Sequence, residues 1–363
     1  MDKIIKEILT KIESEGYEAY IVGGFVRDKL LKKASYDVDI CTNALPMTLK
    51  NVFNISQNSN GYGGFNLKIK KYNIDITTYR KEVKYNNRRP VEIEYISNLF
   101  EDINRRDFTI NALCMDKNDN IIDLINGSDD LKKHVIRIIG DADQKFKDDP
   151  LRMLRAIRFA TILDFFIEKE TYQSIIRNSK FASSLSSARI KEELSKILAH
   201  PNYAKGLKIL KNTGIDKEIG LEYESINYTN DILGMWAQVN IPNLEFTKTE
   251  KDNIIRIKQL VKFGRIGYFE LFNYGLYLCS VAAQILHIDR NVVNSRYHKM
   301  PIKSMKDIAI SGSEIIKLLN IEPGKIVSEI IGDIKIQILG GKLKNKNSVI
   351  KKYVIRKWQN EQK

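Results

Sequence analysis

Apolar and polar residues follow two different periods along the chain. Within residues 1–135, short runs alternate as half-buried strands do, among them SYDVDICT, NIDITTYR and VEIEYI. A continuous apolar run, YEAYIVGGF, ends in a Gly pair and predicts a strand followed by a turn. The N-terminal segment MDKIIKEILTKIESEGY predicts an amphipathic helix and is not typical of a signal peptide.

After Asp148 the period changes to that of a helix. The runs LRMLRAIRFATIL, RIKEELSKILA and YAKGLKILKNTGI are helical, and Gly214 lies where a helix C-cap would fall. Residues 231–284 are apolar and are also predicted to be helical, and shorter helices follow, separated by Ser311-Gly312 and Pro323-Gly324. The pattern predicts an α+β protein, with an α/β head followed by an all-helical remainder.

Composition excludes several classes of protein. A chain of 363 residues is long for a single core, so two or more domains are expected. No apolar run approaches the ~20 residues that cross a bilayer, so no membrane partner is expected. The three cysteines stand in no paired or metal-ligand spacing, which fits reduced thiols and predicts a cytoplasmic protein.

The formal net charge of +14 is concentrated near the C-terminus. Residues 289–363 hold sixteen Lys or Arg and seven Asp or Glu, an excess of nine positive charges. Such a basic end suits a polyanion such as a nucleic acid. A solubilising, lysine-rich surface explains the charge equally well.

Carboxylates in two predicted strands are candidates for a metal site. Asp37 and Asp39 flank Val38, and residues two apart in a strand point to the same face. Two carboxylates that close repel each other unless a cation lies between them, and hard oxygen ligands suit Mg²⁺. Asp75, between two apolar residues in NIDIT, is a candidate third ligand. The alternatives are an exposed strand face for the pair and a solvent-facing residue on an edge strand for Asp75.

A Gly pair and an arginine follow the first predicted strand. In Gly23-Gly24-Phe25-Val26-Arg27-Asp28, backbone N–H groups at the start of a helix would be open to a phosphate, and Arg27 could bind the same anion. An ordinary strand–helix turn is the alternative.

Two further motifs concentrate arginines and acids. In RRDFTIN, Arg106 could bind phosphate and Asp107 could accept hydrogen bonds from ribose hydroxyls, unless Asp107 is only a helix cap. In DDPLRMLRAIR, Pro150 fixes a helix start, and Arg152, Arg155 and Arg158 recur every three residues on one ridge. A triphosphate would relieve their mutual repulsion, and pairing with nearby acids is the alternative.

Taken in order, these motifs resemble the class II tRNA nucleotidyltransferase and bacterial poly(A) polymerase superfamily. GGFVRD, DVD, RRDFTIN and DDPLRMLRAIRF occur in the family's order between residues 21 and 198, and IIDLINGSDDL matches its linking motif. The resemblance implies a DNA polymerase β-like nucleotidyltransferase head at 1–135 followed by a helical neck at 136–215. It also implies a helical body at 216–290 and a basic, tRNA-binding tail at 291–363, to which IAISGSEIIKLLNIEPGKIVSEII is similar.

The resemblance also implies an activity and a role for each motif. The activity is template-independent addition of C, C and A to the 3′ end of tRNA from CTP and ATP, with contacts to the acceptor arm and Mg²⁺ as cofactor. The implied site comprises metal ligands Asp37 and Asp39, phosphate contacts Gly24 and Arg27, triphosphate and ribose contacts Arg106 and Asp107, the base-reading pair Asp149 and Arg152, and nucleotide-binding Arg155 and Arg158.

A base-reading role for Asp149 and Arg152 has a physical basis. Cytosine and adenine each present an exocyclic amine beside a ring-nitrogen acceptor, which one carboxylate and one guanidinium can satisfy. Uracil and guanine present a carbonyl where the amine should be, so they would leave buried polar groups unpaired at about 1–3 kcal/mol each.

Three features depart from the family pattern. Asp148 replaces the usual Glu before the base-reading Asp, and Ala188 replaces the Glu of the neck motif, as in poly(A) polymerases. The segment 80–89 is about one residue shorter than the flexible loop of CCA-adding enzymes, and its presence favours an enzyme able to add A. Poly(A) addition therefore remains the alternative activity, and a non-catalytic RNA-binding protein is a third interpretation, which the intact Asp37 and Asp39 oppose.

Overall fold

The computed structural model describes residues 2–54, 64–86 and 89–358, with the backbone alone for 82–86 and 89–92. The chain forms two compact units, Met1–Leu221 and Glu222–Lys363. All ten strands lie in the first unit among the described residues. They are β1 (Ala19–Val22), β2 (Asp37–Thr42), β3 (Gly64–Ile69), β4 (Tyr72–Thr78), β5 (Arg80–Asn86), β6 (Arg89–Tyr95), β7 (Cys114–Met115), β8 (Ile121–Ile122), β9 (Val135–Ile136) and β10 (Phe166–Ile167).

Six of these strands form one mixed sheet in the order β3-β4-β2-β1-β7-β8. β2 and β4 run parallel, whereas the other neighbours run antiparallel. β5 and β6 form a separate antiparallel hairpin, and β9 pairs with β10 in a short parallel ladder. The parallel pair places Asp39 of β2 directly beside Asp75 of β4.

Eleven helices complete the described part of the first unit. They are α1 (Lys3–Glu13), α2 (Gly24–Leu30), α3 (Pro46–Phe53), α4 (Leu99–Asn104), α5 (Gly127–Lys132), α6 (Ala142–Asp148), α7 (Leu151–Ile162), α8 (Lys169–Asn178), α9 (Ser187–Leu198), α10 (Tyr203–Thr213) and α11 (Ile215–Glu218). Short 3₁₀ turns lie at Thr109–Asn111 and Ser179–Ser184.

The described part of the second unit is helical. Its helices are α12 (Ile232–Trp236), α13 (Lys248–Phe263), α14 (Tyr268–Ile285), α15 (Arg290–His298), α16 (Gly312–Leu319), α17 (Lys325–Leu339) and α18 (Asn347–Trp358), with a 3₁₀ turn at Met305–Asp307. Ile350 and Val354 of α18 are fully buried. Across the described chain, no helix is both long and apolar enough to cross a membrane.

The sequence predictions for the main elements are confirmed. The four predicted strands are β1, β2, β4 and β6, and the N-terminal helix is α1. Helix α7 begins directly after Pro150, and Gly214 ends α10 in the left-handed conformation at φ 76°. The cysteines Cys41, Cys114 and Cys279 are buried and unpaired, as the reduced-thiol prediction requires.

Two details differ from the predicted all-helical remainder. The two-residue strand β10 lies inside it, because a strand this short leaves no periodic pattern in the sequence. Residues 237–247 are not helical, although the whole of residues 231–284 was predicted to be helical. The predicted α+β class, an α/β head followed by a helical C-terminal region, is confirmed.

Candidate active site

One cavity in the first unit, of about 470 Å³, gathers ten of the eleven predicted site residues. Asp75 is the exception and does not line it. The ten come from β2, α2, α7 and the segments that precede α7 and follow α4. They are Gly24, Arg27, Asp37, Asp39, Arg106, Asp107, Asp149, Arg152, Arg155 and Arg158.

The two aspartates of β2 face the cavity together. Asp37 and Asp39 are exposed while Val38 is buried, as strand alternation requires. Gly23 lies against them, because a Cβ on this residue would come 3.1 Å from Asp39 Oδ2. Gly23 also has a φ of 83°, a backbone conformation that favours glycine. The turn before α2 therefore requires glycine both for its backbone and for its approach to Asp39.

Electrostatics at Asp39 favour a cation. Although Asp39 is open to the cavity, the surrounding protein desolvates its carboxylate and raises its pKa. The positive charge of Arg106 lowers the pKa, and the negative charges of Asp75 and Asp37 raise it further, so that the net shift is upward. A bound cation would relieve the repulsion among the three carboxylates.

Asp75 is half-buried on β4, an inner strand of the sheet, so the edge-strand alternative for it is wrong. Its Oδ1 accepts a hydrogen bond from Asn66 Nδ2 at 2.9 Å. No group of three or more His, Cys, Asp or Glu residues in the described chain is arranged to hold a metal. A third-ligand role for Asp75 stays a prediction.

Arg27 of α2 is buried and firmly held. Its Nη1 donates to Asn111 Oδ1 at 2.6 Å, and its Nε donates to Asp28 Oδ1 at 2.8 Å. Its guanidinium also lies 5.2 Å from the ring centroid of Phe159. The side chain is thereby fixed at the cavity wall, where its remaining donors can serve an anion.

Asp107 is held by four hydrogen bonds. Its Oδ2 accepts from Nε and Nη2 of Arg155 at 2.8 and 2.5 Å, and its Oδ1 accepts from the Phe108 amide and Asn111 Nδ2. Burial raises the pKa of Asp107, but the Arg155 charge and these hydrogen bonds outweigh it, so the pKa is lowered. Four bonds fill the acceptor sites of a carboxylate, so the predicted ribose contact requires that one be given up.

Arg106 is anchored from behind by Asp102. Asp102 is fully buried, and its Oδ2 accepts from Arg106 Nη2 at 3.1 Å while its Oδ1 accepts from Arg105 Nε at 2.8 Å. Although burial opposes the charged form, the Asp102 carboxylate raises the pKa of Arg106 above its usual range. Arg106 therefore presents a permanent positive charge to the cavity.

Two of the three arginines on the α7 ridge are paired with acids, as the alternative to the triphosphate interpretation expects. Arg155 contacts Asp107, and Arg158 Nε donates to Glu193 Oε2 at 2.6 Å. Arg158 also lies 4.0 Å from the centroid of Phe159. These two arginines therefore have their charge offset without a bound anion, and all three arginines of the ridge line the cavity.

Asp149 and Arg152 lie together where α6 gives way to α7. Asp149 Oδ1 accepts from the Leu151 amide at 3.1 Å, so this carboxylate also supports the helix start. Arg152 is 7% exposed, and its Nη1 and Nη2 donate to the carbonyls of Lys145 and Arg105 at 3.4 and 3.3 Å. Asp149 and Arg152 therefore line the same cavity, and their role in base reading stays a prediction.

Family models cover most of the chain. Residues 19–137 match the poly A polymerase head domain, and residues 164–223 match a probable RNA- and SrmB-binding site of polymerase A. Residues 243–354 match a putative tRNA nucleotidyltransferase domain 2. The CCA-adding enzyme of Lactobacillus johnsonii is 34% identical over 96% of this chain and 95% of its own length. The chain belongs to the CCA-adding enzyme family.

Other members of the CCA-adding enzyme family agree in sequence and fold. The enzyme of Ligilactobacillus salivarius is 32% identical over 94% of this chain and 93% of its own length. The crystal structure of the Bacillus stearothermophilus CCA-adding enzyme in complex with CTP matches at a TM-score of 0.81 and 24% identity, covering 100% of this chain and 99% of that one. The Thermotoga maritima CCA-adding enzyme complexed with tRNA matches at 0.72 and 21% identity, covering 98% and 96%.

Sequence reasoning missed several residues that support this candidate site. Asn111 forms hydrogen bonds with both Arg27 and Asp107. Asp102 pairs with Arg106, and Glu193 pairs with Arg158. Phe159 packs against three arginines. Asn111 stands inside the RRDFTIN motif, so its signal was available. Glu193 carries no comparable signal, because nothing in its own helix marks a partner 35 residues away.

Proposed function

We propose that this protein adds C, C and A to the 3′ end of tRNA, using CTP and ATP and no nucleic-acid template. The observation that carries the proposal is one cavity that holds two same-face carboxylates beside six arginines. Its support comes from relatives named CCA-adding enzymes along nearly the whole chain. Nucleotidyl transfer needs little covalent chemistry from the protein, so positioning and charge are what the site must supply.

Asp37 and Asp39 are the proposed ligands for Mg²⁺. Two hard oxygen donors on one strand face fit an ion that keeps several waters and binds substrate phosphates. When bound there, Mg²⁺ neutralises triphosphate charge and favours ionisation of the RNA 3′-hydroxyl. Gly23 leaves room for the Asp39 carboxylate, because a Cβ at this position would come 3.1 Å from Oδ2.

The arginines bind the triphosphate. Arg27, with Gly24 at the start of α2, lies on one side of the cavity, and Arg106 presents its charge from another. Arg155 and Arg158 keep donors beyond those given to Asp107 and Glu193, because a guanidinium has five. Their acid partners hold them in place before the nucleotide arrives, which reduces the entropy lost on binding.

Asp149 and Arg152 select the base. The carboxylate of Asp149 accepts from the exocyclic amine of cytosine or adenine, and Arg152 donates to the adjacent ring nitrogen. Two backbone carbonyls fix the guanidinium of Arg152, so it cannot turn freely to suit another base. The preference for C and A is thus built into the protein.

The basic C-terminal region, residues 291–363, contributes to tRNA binding. Its charge attracts the phosphate backbone without reading sequence. The cytoplasmic location follows from reduced cysteines and stays a prediction from the sequence.

Poly(A) addition is the second candidate function. Ala188, in the first turn of α9, replaces the Glu of the CCA-type neck motif and favours it. The head-domain model that matches residues 19–137 also carries the poly A polymerase name. Both activities use the same cavity and differ in the product.

Sequencing of the product separates the two functions. The full-length protein is incubated with tRNA that lacks its 3′ CCA, together with all four nucleotides and Mg²⁺, and the added tails are sequenced. Ordered addition of C, C and A followed by a halt supports the proposal. Long A tracts would assign the protein to poly(A) synthesis, and unextended tRNA would contradict both activities.

A further inference from the structure

Arg152 is held by two backbone segments rather than by an acid. One segment is α6, whose Lys145 carbonyl accepts from Nη1, and the other follows α4, whose Arg105 carbonyl accepts from Nη2. The direction of the guanidinium therefore depends on where these two segments lie relative to each other.

The side chain of Lys145 joins those two segments. Its Nζ donates to the carbonyl of Asn104 at 2.6 Å and lies 3.4 Å from the carbonyl of Arg106. These carbonyls flank the Arg105 carbonyl that receives Arg152. Lys145 thus supplies one of the two acceptors with its backbone and holds the other in place with its ammonium.

The end of α4 explains why a cation suits this position. Helix α4 ends at Asn104, and the last carbonyls of a helix have no partner within it. Positive side chains at such an end satisfy these carbonyls and complement the helix dipole. Lys145 and Arg152 occupy this helix end together.

We propose that Lys145 is a positioning residue for nucleotide selection, which acts by holding the end of α4 against α6 and so fixing the guanidinium of Arg152. The inference rests on the proposed function, because it assumes that Arg152 reads the base. Lys145 need not touch the nucleotide. Its ammonium keeps the carbonyls of Lys145 and Arg105 at a fixed distance from each other.

Removal of the ammonium tests this assignment. Lys145→Met keeps most of the aliphatic stem but loses the donor, so the carbonyls on either side of the Arg105 carbonyl lose their bond to the ammonium and this segment can shift. Misplacement by about 1 Å can cost up to about 100-fold in rate. We expect kcat/KM for CTP and ATP to fall by about 10- to 100-fold on tRNA lacking CCA. The values for UTP and GTP should stay within about 3-fold of wild type, so that discrimination decreases by about 3-fold or more.

Two further variants separate positioning from general damage. Lys145→Arg keeps a cationic donor at this helix end and should recover most of the discrimination. Lys147→Met removes an exposed lysine of the same helix and should behave as wild type. Thermal unfolding of each variant is measured in parallel. Should Lys145→Met not fold, Lys145→Gln, which keeps a neutral donor, is compared by the same ratio.

The outcomes are distinguishable from failure of the proposed function. If the wild-type protein shows no preference for CTP or ATP over UTP and GTP, the proposed function fails, and the inference fails with it. If the wild type discriminates, unchanged discrimination in the Lys145 variant, or an equal fall for all four nucleotides, would overturn the positioning role alone. A selective fall with recovery in Lys145→Arg supports it.

Discussion

Among single residues, Gly23 lies close to Asp39, one of the two proposed metal ligands. Its positive φ is strained for any L side chain, and an added methyl group would lie 3.1 Å from Asp39 Oδ2. We expect Gly23→Ala to lower the free energy of unfolding by about 1–3 kcal/mol. Nucleotide incorporation should fall by more than about 10-fold, since Asp39 must move to make room.

Gly16→Ala is the matched control for Gly23→Ala. Gly16 has a comparable φ of 84°, but no described atom lies within 4 Å of a Cβ at this position, so the variant shares the backbone strain without a close approach. Denaturant unfolding and single-turnover incorporation are measured for both variants. Equal effects of the two substitutions would show that the close approach of Gly23 to Asp39 is unimportant.

The Asp107–Arg155 pair should give stability a defined pH dependence. The pKa of Asp107 is lowered in the folded protein, so its contribution is present above the unfolded pKa of about 3.9 and is lost as pH falls through the folded value. We expect Asp107→Asn to be less stable than wild type at pH 7. The difference in the free energy of unfolding between wild type and Asp107→Asn should become smaller below about pH 4. A gap independent of pH between 2 and 7, roughly, would contradict the assigned pair.

Prediction from sequence succeeded best where a residue's own neighbours carry the signal. The same-face placement of Asp37 and Asp39 follows from strand alternation alone. The partners of the arginines did not follow, because Asn111 lies 84 residues from Arg27 in sequence. Such pairings depend on how elements pack, which local periodicity does not encode.

Among the elements, α7 and α9 pack against each other, and one buried ion pair joins them. Arg158 and Glu193 have side chains that are only 11% and 3% exposed. Removal of one charge leaves the other buried and unpaired, so Glu193→Gln should lower the free energy of unfolding by about 3–5 kcal/mol. The binding of nucleotide should weaken as well, because Arg158 loses its anchor.

Glu192→Gln on the same helix is the control for Glu193→Gln. Glu192 pairs with Arg189 and Lys196, and all three side chains are about half exposed. Exposed pairs contribute about 1 kcal/mol or less, so this variant should stay near wild type. Denaturant titration compares the two, and equal losses would refute a special role for the buried pair.

The elements themselves were predicted from strong local signals. Pro150 fixed the start of α7, and Gly214 fixed the end of α10. Ser311-Gly312 was predicted only to separate two helices, and in the structure Ser311 is the N-cap of α16, with Glu314 completing a capping box. The β9–β10 ladder was not predicted, because two-residue strands form only when distant segments meet. Periodicity thus defines long elements and leaves short pairings to tertiary structure.

At the scale of the whole molecule, the positive charge of the C-terminal region should govern the affinity for tRNA. Deletion of residues 342–363 would remove α18, whose buried Ile350 and Val354 support the second unit, so substitution is the cleaner change. Replacement of the exposed Lys342, Lys344, Lys346 and Lys352 by Gln should raise the KM for tRNA and leave nucleotide preference unchanged. The plot of log affinity against log salt concentration should become less steep, its slope decreasing in magnitude by up to about 3.

The charge prediction needs a control of equal net charge. Replacement of four exposed lysines in the first unit, Lys3, Lys6, Lys29 and Lys32, removes the same charge from another place. Filter binding with tRNA across salt concentrations compares the two proteins. Equal salt slopes would show that net charge alone, rather than the C-terminal region, attracts the tRNA.

Protein side chains, rather than a nucleic-acid template, are proposed to select C and A. Asp149 and Arg152 lie at one cavity, and Asp149 also supports the start of α7. Loss of a helix cap alone would cost about 1 kcal/mol of stability and leave nucleotide preference unchanged. Loss of a base reader would relax preference in a protein that still folds.

The most direct test is kcat/KM for CTP, ATP, UTP and GTP in wild type, Asp149→Ala and Arg152→Ala, measured on tRNA that lacks its 3′ CCA. We expect both variants to fold and to lose most of the wild-type discrimination against UTP and GTP, by about 10-fold or more for each unpaired polar group. If both variants keep the wild-type preference for CTP and ATP, Asp149 and Arg152 do not select the nucleotide.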